Sequence, residues 1–364
     1  MKVLLLSRYG RMGASSRYRS YQYLDYLRRD GIEVTPSPLV DDSFLQRRYT
    51  GIKVPLVEVA ADYLRRIGRL LRTGGFDLIW MEKQAFPWVP AFIESRLVGS
   101  RVPFIVDYDD PEFHSYDHHK LWVIRGLMPE KIDRVMRKAA LVIAGNPYVA
   151  DWARAAKAKR VEILPTVVDL ERYPLTPLPD KEVFTIGWIG TPVTARYLKL
   201  IQSALEQVCA GGSARVLVIG PKTVDLGSVP VEIRPWSEET EVADLKRIDV
   251  GIMPLRDSPT ERGKSGLKLI QYMACGLPVV GSPVGVNRDI INHGIDGFQA
   301  TDISQWVASL EALKADSGLR HRMGLKGRAK VEQRYCLQHA APKLASFLRS
   351  AAQSDRRGDI AGRL

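Results

Sequence analysis

Three polar side chains in the second half of the chain have the spacing of one helical face. Lys264, Lys268 and Gln271 stand at i, i+4 and i+7, and residues at those intervals share a face of an α-helix. Two ammonium groups beside the free N–H groups of a helix start would suit a diphosphate. The ordinary alternative is a solvated helix face, because lysine is mostly exposed in proteins.

The neighbouring sequence indicates how these side chains are positioned. The apolar run 248–253 is short enough to be a strand of a parallel sheet. In such sheets the ligand lies beyond the carboxyl ends of the strands. Leu267, Ile270 and Ala274 form the apolar face of the following helix. We therefore expect the polar loop before the helix to reach into a ligand crevice.

Short apolar runs alternate with amphipathic segments along the chain, which predicts an α/β fold. A βαβ series starts with the apolar run 2–7 and a second starts with 184–188, while the proline-rich stretch 173–180 predicts a linker between them. The predicted organisation is a first domain at 1–174, a second domain at 181–335, a helix at 336–350 and a frayed tail at 351–364.

Two adjoining stretches carry a resemblance to a known family. GLKLIQYMACGLPVV, at 266–280, and VGVNRDIINHGIDGF, at 284–298, closely resemble the donor-binding segment of the family 4 glycosyltransferases. The resemblance implies a GT-B fold, in which two Rossmann-like domains face each other across a cleft. It also implies retention of anomeric configuration, no need for a metal, and a last helix that returns to the first domain.

The resemblance also implies roles for residues of the second domain. The family has a Glu-x7-Glu pair whose second acid holds the ribose; here those positions are Gly263 and Gln271, and Glu261 lies two residues out of register. Arg196 falls at the position of a lysine that meets the diphosphate. Trp236 either stacks on the nucleobase or packs at the domain edge. The residues expected to bind the nucleotide-sugar are Gly190, Thr191, Trp236, Ser265, Gly266, Lys268 and Gln271.

Carboxylates end one strand of the first domain. The strand 104–106 is followed by Asp107-Tyr108-Asp109-Asp110, and Asp109 takes the register of a catalytic-site histidine of the family. A carboxylate there would accept the acceptor's proton, bind a sugar hydroxyl or cap the next segment, and the sequence leaves these three roles open. We interpret the D-x-D string as a coincidence with a metal motif of another fold. The catalytic candidates are Asp109, Arg196 and Lys264.

The first loop, YGRMGASS at 9–16, is the predicted acceptor side. It is not G-x-G-x-x-G, so it lacks a dinucleotide fingerprint. The family has a glycine pair here, of which only Gly13 is present. Gly13, Ser15 and Arg17 are the predicted acceptor contacts, although a helix N-cap explains the serines equally well.

Composition limits the classes of partner. The chain has 364 residues, a net charge of +12 and three scattered cysteines, and no apolar run approaches the ~20 residues of a membrane span. No nucleic-acid motif is visible, so phosphorylated substrates and anionic lipid are the favoured partners of the positive charge. The start, MKVLLLSRYG, predicts a strand and not a secretory signal. We expect a cytoplasmic protein, peripheral on the inner face of the membrane.

Two segments of the first domain suggest that membrane contact. The helix predicted at 57–73 carries Arg65, Arg66, Arg69 and Arg72, and the stretch 118–138 mixes basic with apolar residues. Ordinary helices packed on a sheet are the alternative. Histidines 114, 118 and 119 suggest a metal, but no cysteine or second histidine cluster completes a site. No metal site and no cofactor are therefore predicted.

The function predicted from these residues is transfer of a sugar from a nucleotide-sugar donor to a hydroxyl of a saccharide or lipid-linked acceptor, in the assembly of cell-surface polysaccharide or glycolipid. Cations and helix N-terminal amides would stabilise the leaving diphosphate. One alternative is a nucleotide-sugar epimerase or hydrolase on the same fold. The other is a non-catalytic carbohydrate-assembly protein, suggested by the altered Glu pair.

Overall fold

The computed structural model describes residues 1–98, 102–175 and 182–361. The chain divides into two compact units. The first holds Met1–Thr166, Gly263–Ser265 and the chain from Leu337 onward, and the second holds Val167–Arg262 and Gly266–Cys336. Part of the predicted linker, 176–180, lies outside the described residues.

The first unit is built on a parallel sheet in the strand order β2-β1-β3-β4-β5-β6. Its central strands are buried along nearly their whole length, as expected of a parallel sheet covered on both faces. The strands are β1 Lys2–Leu6, β2 Glu33–Pro36, β3 Leu78–Glu82, β4 Phe104–Tyr108, β5 Leu141–Ala144 and β6 Val161–Ile163.

The helices of this unit connect successive strands and pack on the sheet around a core that includes Val106, Val142 and Phe113. They are α1 Ala14–Arg19, α2 Leu24–Arg29, α3 Asp42–Tyr49, α4 Leu56–Leu70, α5 Ala91–Leu97, α6 His114–Asp117, α7 Trp122–Leu127, α8 Lys131–Lys138 and α9 Pro147–Ala155, with a 3-10 turn at Tyr21–Tyr23.

The second unit repeats the architecture with the parallel strand order β12-β11-β10-β7-β8-β9. Its strands are β7 Phe184–Ile189, β8 Ala214–Ile219, β9 Val231–Arg234, β10 Val250–Met253, β11 Val279–Gly281 and β12 Gly297–Gln299. Its helices are α10 Gln202–Cys209, α11 Glu241–Leu245, α12 Pro259–Arg262, α13 Leu267–Ala274, α14 Asn287–Ile290, α15 Ile303–Ala315 and α16 Ser317–Arg334, with 3-10 turns at Leu170–Arg172, Ala195–Ile201 and Ala210–Gly212.

The final helix, α17, runs from Leu337 to Ala361 and belongs to the first unit. Arg349 pairs with Asp30 at 2.7 Å, and Arg160 donates to the Ser350 hydroxyl at 2.8 Å. The helix continues past residue 350, where the sequence predicted its end. Residues 362–364 of the predicted tail lie outside the described residues.

One predicted helix is divided in the structure. The periodic apolar residues Tyr18, Tyr21, Leu24 and Leu27 predict a single helix over 17–30, but α1 ends at Arg19 and α2 begins at Leu24. The Ser20 hydroxyl donates to the carbonyl of Ser16 at 2.7 Å, and serine bonds of this kind compete with the regular helical pattern. Within α1, the Ser16 hydroxyl accepts from the Tyr9 N–H of the loop after β1 at 3.2 Å.

No helix among the described residues is long and apolar enough to cross a membrane.

Candidate functional site

The strand orders locate a ligand edge in each sheet. In both units the strands are added first on one side of the first strand and then on its other side. The strand order therefore switches between β1 and β3 in the first unit, and between β7 and β10 in the second. In open parallel sheets ligands bind at the carboxyl ends of the strands at such a switch point. We therefore expect a ligand site at each of these two sheet edges.

At the switch point of the second unit, Gly190 directly follows β7. A Cβ on Gly190 would lie 2.5 Å from Trp188 Cη2 and 2.9 Å from Lys268 Cε, so only glycine leaves room for these two side chains. The Lys268 ammonium stands 5.3 Å from the centre of the Trp188 ring. The fold thus brings together two of the predicted nucleotide-sugar residues, Gly190 and Lys268. Thr191 follows Gly190 in the chain, with its hydroxyl 3.2 Å from that of Thr194.

The prediction that Lys264 shares a helical face with Lys268 and Gln271 is wrong. Helix α13 begins at Leu267, and Gly266 before it has a left-handed backbone with φ of 68°, which interrupts the helical period. A Cβ at Gly266 would approach Ile290 Cδ1 to 2.3 Å, so no larger residue fits. Lys264 and Ser265 precede the helix and cluster with the first unit.

The structure explains why no acid stands at position 263. A Cβ on Gly263 would lie 2.6 Å from the ring of Pro111, and Asn146 Nδ2 donates to the Gly263 carbonyl at 2.7 Å. Glu261, two residues earlier, is buried and accepts bonds from the hydroxyls of Tyr197 and Ser258. Its carboxylate is therefore held within the second unit.

Arg196 is exposed, and its Nη2 donates to the Tyr197 hydroxyl at 3.3 Å. The same Tyr197 hydroxyl donates to the Glu261 carboxylate. Arg196, Tyr197 and Glu261 therefore form a hydrogen-bonded chain that runs from the surface to the buried acid. This arrangement leaves Arg196 a surface cation beside a buried acid.

Gln271 belongs to a buried polar network that the sequence did not reveal. Gln271 Nε2 donates to Tyr173 Oη at 3.3 Å, Tyr173 Oη donates to Glu241 Oε1 at 2.7 Å, and Trp236 Nε1 donates to Glu241 Oε2 at 2.7 Å. The hydroxyl gives its one hydrogen to Glu241, so its other partner must be a donor. Glutamine meets that need and glutamate does not, which explains why the second acid of the family's pair is absent here.

This network makes Gln271→Glu destabilising. The new carboxylate would face the Tyr173 oxygen, which has no hydrogen left to donate, with Glu241 on the other side. We expect a loss of about 2 to 3 kcal/mol in the free energy of unfolding, measured by urea titration at pH 7. Adding Glu241→Gln should recover part of the loss, because the hydroxyl then donates to position 271. An unchanged stability in Gln271→Glu would contradict the donor requirement.

At the switch point of the first unit, Asp109 is held by two side chains. Ser15 Oγ donates to Asp109 Oδ2 at 2.6 Å, and Lys83 Nζ lies 3.1 Å from Oδ1. Burial raises the pKa of Asp109, but the charges of Lys83 and Arg19 outweigh it and hold the pKa below its usual value. The predicted acceptor residue Ser15 and the predicted catalytic residue Asp109 are therefore in direct contact.

Lys83 is the central residue of this site that the sequence did not reveal, together with Arg19, Glu82 and Glu112 around it. It follows β3 directly, is buried, and has a left-handed backbone with φ of 61°, a conformation that non-glycine residues rarely adopt and that clusters at functional sites. Besides Asp109, its ammonium lies 3.1 Å from Glu112 Oε1 and 3.6 Å from Asp110 Oδ2. A lysine placed immediately after a buried strand was the available signal.

Asp110 differs from Asp109 in its surroundings. Its side chain is 40% exposed, against 9% for Asp109. Partial desolvation and the neighbouring Asp109 charge raise the pKa of Asp110, while Lys83 and Lys264 act in the opposite direction. Asp110 is thus the more accessible and the more basic of the two carboxylates.

The remaining acceptor-side candidates support the loop. A Cβ on Gly13 would come within 2.5 Å of Tyr9 Cβ. Arg17 is buried, and its Nη1 donates to the carbonyls of Arg11 at 3.2 Å and Met12 at 3.3 Å. The structure therefore places the Arg17 guanidinium on the loop backbone, and a role in binding the acceptor stays a prediction.

Beneath the loop lies a buried carboxyl. Glu82 Oε1 accepts from Ser16 Oγ at 3.0 Å and Oε2 accepts from the Arg8 N–H at 3.3 Å. Burial raises the pKa of Glu82 to about 7. This carboxyl ties the loop after β1 to the end of β3, the two strands of the switch point.

Two family models match the chain in sequence. "Glycosyltransferase Family 4" matches residues 20–172, and "Glycosyl transferases group 1" matches residues 181–316. Among curated proteins, the chain is 25% identical to a D-inositol 3-phosphate glycosyltransferase of Xylanimonas cellulosilytica, over 64% of this chain and 63% of the relative. It is 27% identical to the capsular polysaccharide biosynthesis glycosyltransferase CapM of Staphylococcus aureus, over 45% of each protein. The chain spans less than two thirds of the length of these curated relatives.

Solved structures are similar over nearly the whole chain. The Anabaena protein HepE, solved in complex with UDP-glucose, matches with a TM-score of 0.72 at 17% identity, covering 96% of this chain and all of HepE. The predicted fold class, GT-B with two Rossmann-like domains, is confirmed by this similarity and by the two parallel sheets.

Proposed function

The chain belongs to the family 4, group 1 glycosyltransferases, as its sequence resemblance predicted, and from this premise we propose that it transfers a sugar from a nucleotide-sugar to an acceptor hydroxyl. The second unit binds the donor, and the first unit binds the acceptor. The reaction proceeds with retention of configuration and without a catalytic metal, in the assembly of surface polysaccharide or glycolipid. CapM, a relative named for capsular polysaccharide biosynthesis, supports that setting.

The observation that carries the proposal is the Lys268 ammonium, held over Trp188 beside Gly190 at the switch point. The diphosphate lies there, against Lys268 and the N-terminal amides of α13, and both stabilise the charge that develops on the leaving group. Arg196 supplies a further surface cation of the same unit, and the proposed roles of Lys264 and Ser265 in binding the nucleotide-sugar stay predictions. Trp236 lies near the base, and Gln271 supports the ribose side through Tyr173.

The test is an assay of the purified protein against a panel of nucleotide-sugars, with and without acceptors and with a chelator present. Sugar transfer supports the proposal. Donor hydrolysis or epimerisation without transfer would favour the alternative enzymes, and no reaction with any donor would favour a non-catalytic assembly protein. Loss of transfer on chelation would contradict metal independence.

Within this mechanism we assign the acceptor-facing carboxylate to Asp110, and we assign Asp109 to positioning. Both oxygens of Asp109 are engaged by Ser15 and Lys83, whereas Asp110 is substantially exposed. A carboxylate that takes the acceptor's proton must be within reach of it and have a suitable pKa.

We therefore expect Asp110→Asn to lower the rate of transfer at least about a hundredfold, with unchanged stability and nucleoside diphosphate affinity. In the natural protein the rate should fall as the pH drops through the pKa of Asp110, because the protonated acid is no longer a base. This dependence should disappear in Asp110→Asn. Asp109→Asn, the matched variant, should lower stability as well as rate. Full activity of Asp110→Asn would return the role to Asp109.

We also propose that the first unit docks on anionic membrane. The helices α4 and α7 carry large exposed apolar side chains, and the loop after β3 lies between them: Tyr63 donates to the Pro87 carbonyl at 2.7 Å, and the Trp88 ring lies 5.3 Å from that of His119. The exposed residues are Leu56, Val57, Leu64, Trp88, Leu121, Trp122 and Leu127.

Arg66 does not belong to the exposed basic face that the sequence predicted for α4. Arg66 is buried, and its Nη2 donates to the carbonyls of Ser7 and Ser37, each at 2.8 Å. Arg65 pairs with Asp62 at 2.7 Å. The apolar surface therefore contributes more to the proposed docking than the sequence indicated, with basic residues adding about 1 kcal/mol each near anionic lipid.

Leu127→Ser should weaken binding to anionic vesicles, because Leu127 is 72% exposed on the proposed surface. Val193→Ser, at a valine that is 69% exposed in the second unit, is the matched control and should bind normally. Cosedimentation with phosphatidylserine-containing and neutral vesicles, at low and high salt, measures both. Equal binding to the two vesicle types, or none, would contradict the proposal.

A further inference from the structure

We propose that His114, Asp117 and His118 form a binding site for a divalent transition metal, with zinc the best match, on the first unit. The sequence did not predict this site because neither a cysteine nor a second histidine cluster accompanies the histidines. The structure supplies the third ligand from Asp117. The site is separate from the carboxylates of the switch point and does not depend on the proposed transfer reaction.

The three side chains converge because they occupy one turn. His114 and Asp117 begin and end α6, and His118 follows, so the residues stand at i, i+3 and i+4 on one side of the helix. One ligand atom from each residue can be chosen so that all three lie within 4.8 Å of one another. Side chains at this spacing would reach one ion without any rearrangement of the backbone.

The distances are close to those of a zinc site. His114 Nδ1 lies 3.0 Å from Asp117 Oδ2, and His118 Nε2 lies 3.7 Å from the same oxygen. Metal–ligand bonds of about 2.0 to 2.2 Å in a tetrahedral site place ligand atoms about 3.4 Å apart. The two observed separations lie on either side of that value. His118 is 61% exposed and its ring contacts that of His114 edge-on at 4.9 Å, so solvent on its other side leaves room for a small rotation.

The buried ligand is oriented by a further group. His114 Nε2 lies 2.8 Å from Tyr148 Oη, so Nε2–H can donate to the tyrosine while Nδ1 faces Asp117. Metal-binding histidines commonly use their second nitrogen in this way, which fixes the tautomer and the ring orientation. The Phe113 ring stacks on Trp152 at 3.9 Å with an interplanar angle of 3°, and this contact fixes the turn to α9.

The ligand types select the class of metal. Two imidazoles and one carboxylate favour zinc, cobalt, nickel or copper over magnesium and calcium, which prefer oxygen ligands. Three protein ligands leave the fourth position to water. The ion would fix the turn just before the exposed apolar segment of α7, and so stiffen the edge of that surface.

The competing interpretation is a simple ion pair between His114 and Asp117, with His118 lying beside it. The two interpretations differ over His118. In an ion pair this exposed ring contributes almost nothing, whereas in a metal site it provides one of three bonds. A substitution at His118 therefore separates them with little risk to folding.

The experiment uses full-length protein without a histidine tag, stripped with chelator and titrated with Zn²⁺ alone by calorimetry. We expect one ion per chain, and at least tenfold weaker binding in His118→Ala. His321→Ala, at an exposed histidine of α16, is the matched control and should bind like the natural protein. Tyr148→Phe should weaken binding about 10- to 100-fold, because it removes the group that orients His114.

Cobalt gives a second readout that is independent of activity. Co²⁺ in a four-coordinate site has intense visible absorption, and we expect those bands in the natural protein and their loss in His118→Ala. Absence of Zn²⁺ binding, or equal binding by the natural protein and His118→Ala, would overturn the proposal. Neither result would bear on the proposed transfer reaction, which the nucleotide-sugar assay tests separately.

Discussion

Replacing Lys268 with methionine should lower the turnover of the proposed transfer about a hundredfold, a loss of about 3 kcal/mol of transition-state stabilisation. Methionine keeps an unbranched stem beside Gly190 and Trp188 and removes the charge that would face the leaving diphosphate. The lost cation–π contact costs on the order of 1 kcal/mol, so the loss of transition-state stabilisation should exceed the loss in the free energy of unfolding. Steady-state kinetics and urea titration of the same preparations measure the two effects.

Two further variants make this result specific. Lys326→Met, at an exposed lysine of α16, is the matched control and should have normal turnover. Lys264→Met tests the other predicted lysine, which precedes α13 and clusters with the first unit. If Lys268→Met kept the turnover of the natural protein, Lys268 would be a solvated surface residue and the diphosphate would have to lie elsewhere.

Lys83→Met should have the largest effect on stability, a loss of about 3 to 5 kcal/mol in the free energy of unfolding at pH 7. The substitution leaves a buried Asp109 and a largely buried Glu112 charged and without the ammonium that lies 3.1 Å from each, although Glu112 keeps its contact with Arg8. Lys199→Met is the matched control, because Lys199 makes an ion pair of 2.8 Å with Asp225 at the surface. Exposed pairs contribute little, so that variant should lose less than about 1 kcal/mol.

The pH dependence identifies the cause. Burial raises the pKa values of Asp109 and Glu112, but Lys83 and other cations lower both below their usual values. A carboxyl with a lowered pKa contributes stability at neutral pH and loses it as the pH falls. The difference between Lys83→Met and the natural protein should therefore narrow toward about pH 4, where the carboxyls accept protons. A difference that is constant with pH would indicate lost packing and not unpaired charge.

The fold was predictable from the sequence because its signals are local. Buried parallel strands such as β3 and β10 read as short apolar runs, and α13 reads as an amphipathic period followed by Gly276-Leu277-Pro278. The family could be recognised because the spacing over 266–298 is preserved even where individual residues differ.

The contacts of the candidate site depend on positions far apart in the chain, and these the sequence did not show. Lys83 meets Asp109 and Glu112 only because β3 and β4 are neighbours in the sheet. Gln271 replaces the family's acid because of Tyr173 and Glu241, which come from other elements. The left-handed backbone of Gly266 separates Lys264 from the helical face on which it was expected.

The sequence by itself thus determined the fold class and the family, because patterns of apolar residues and glycines specify elements and their order. The predicted nucleotide-sugar residues Gly190 and Lys268 do lie together beyond the end of β7, and their binding role stays a prediction. Only the tertiary structure decided which charged groups are paired, which are exposed and which polar groups form hydrogen bonds with one another. Electrostatic interactions depend on distance and burial, and both are set when strands and helices pack. Asp109 and Asp110 are chemically identical neighbours in the chain, and packing alone makes one a buried, paired carboxylate and the other an accessible one.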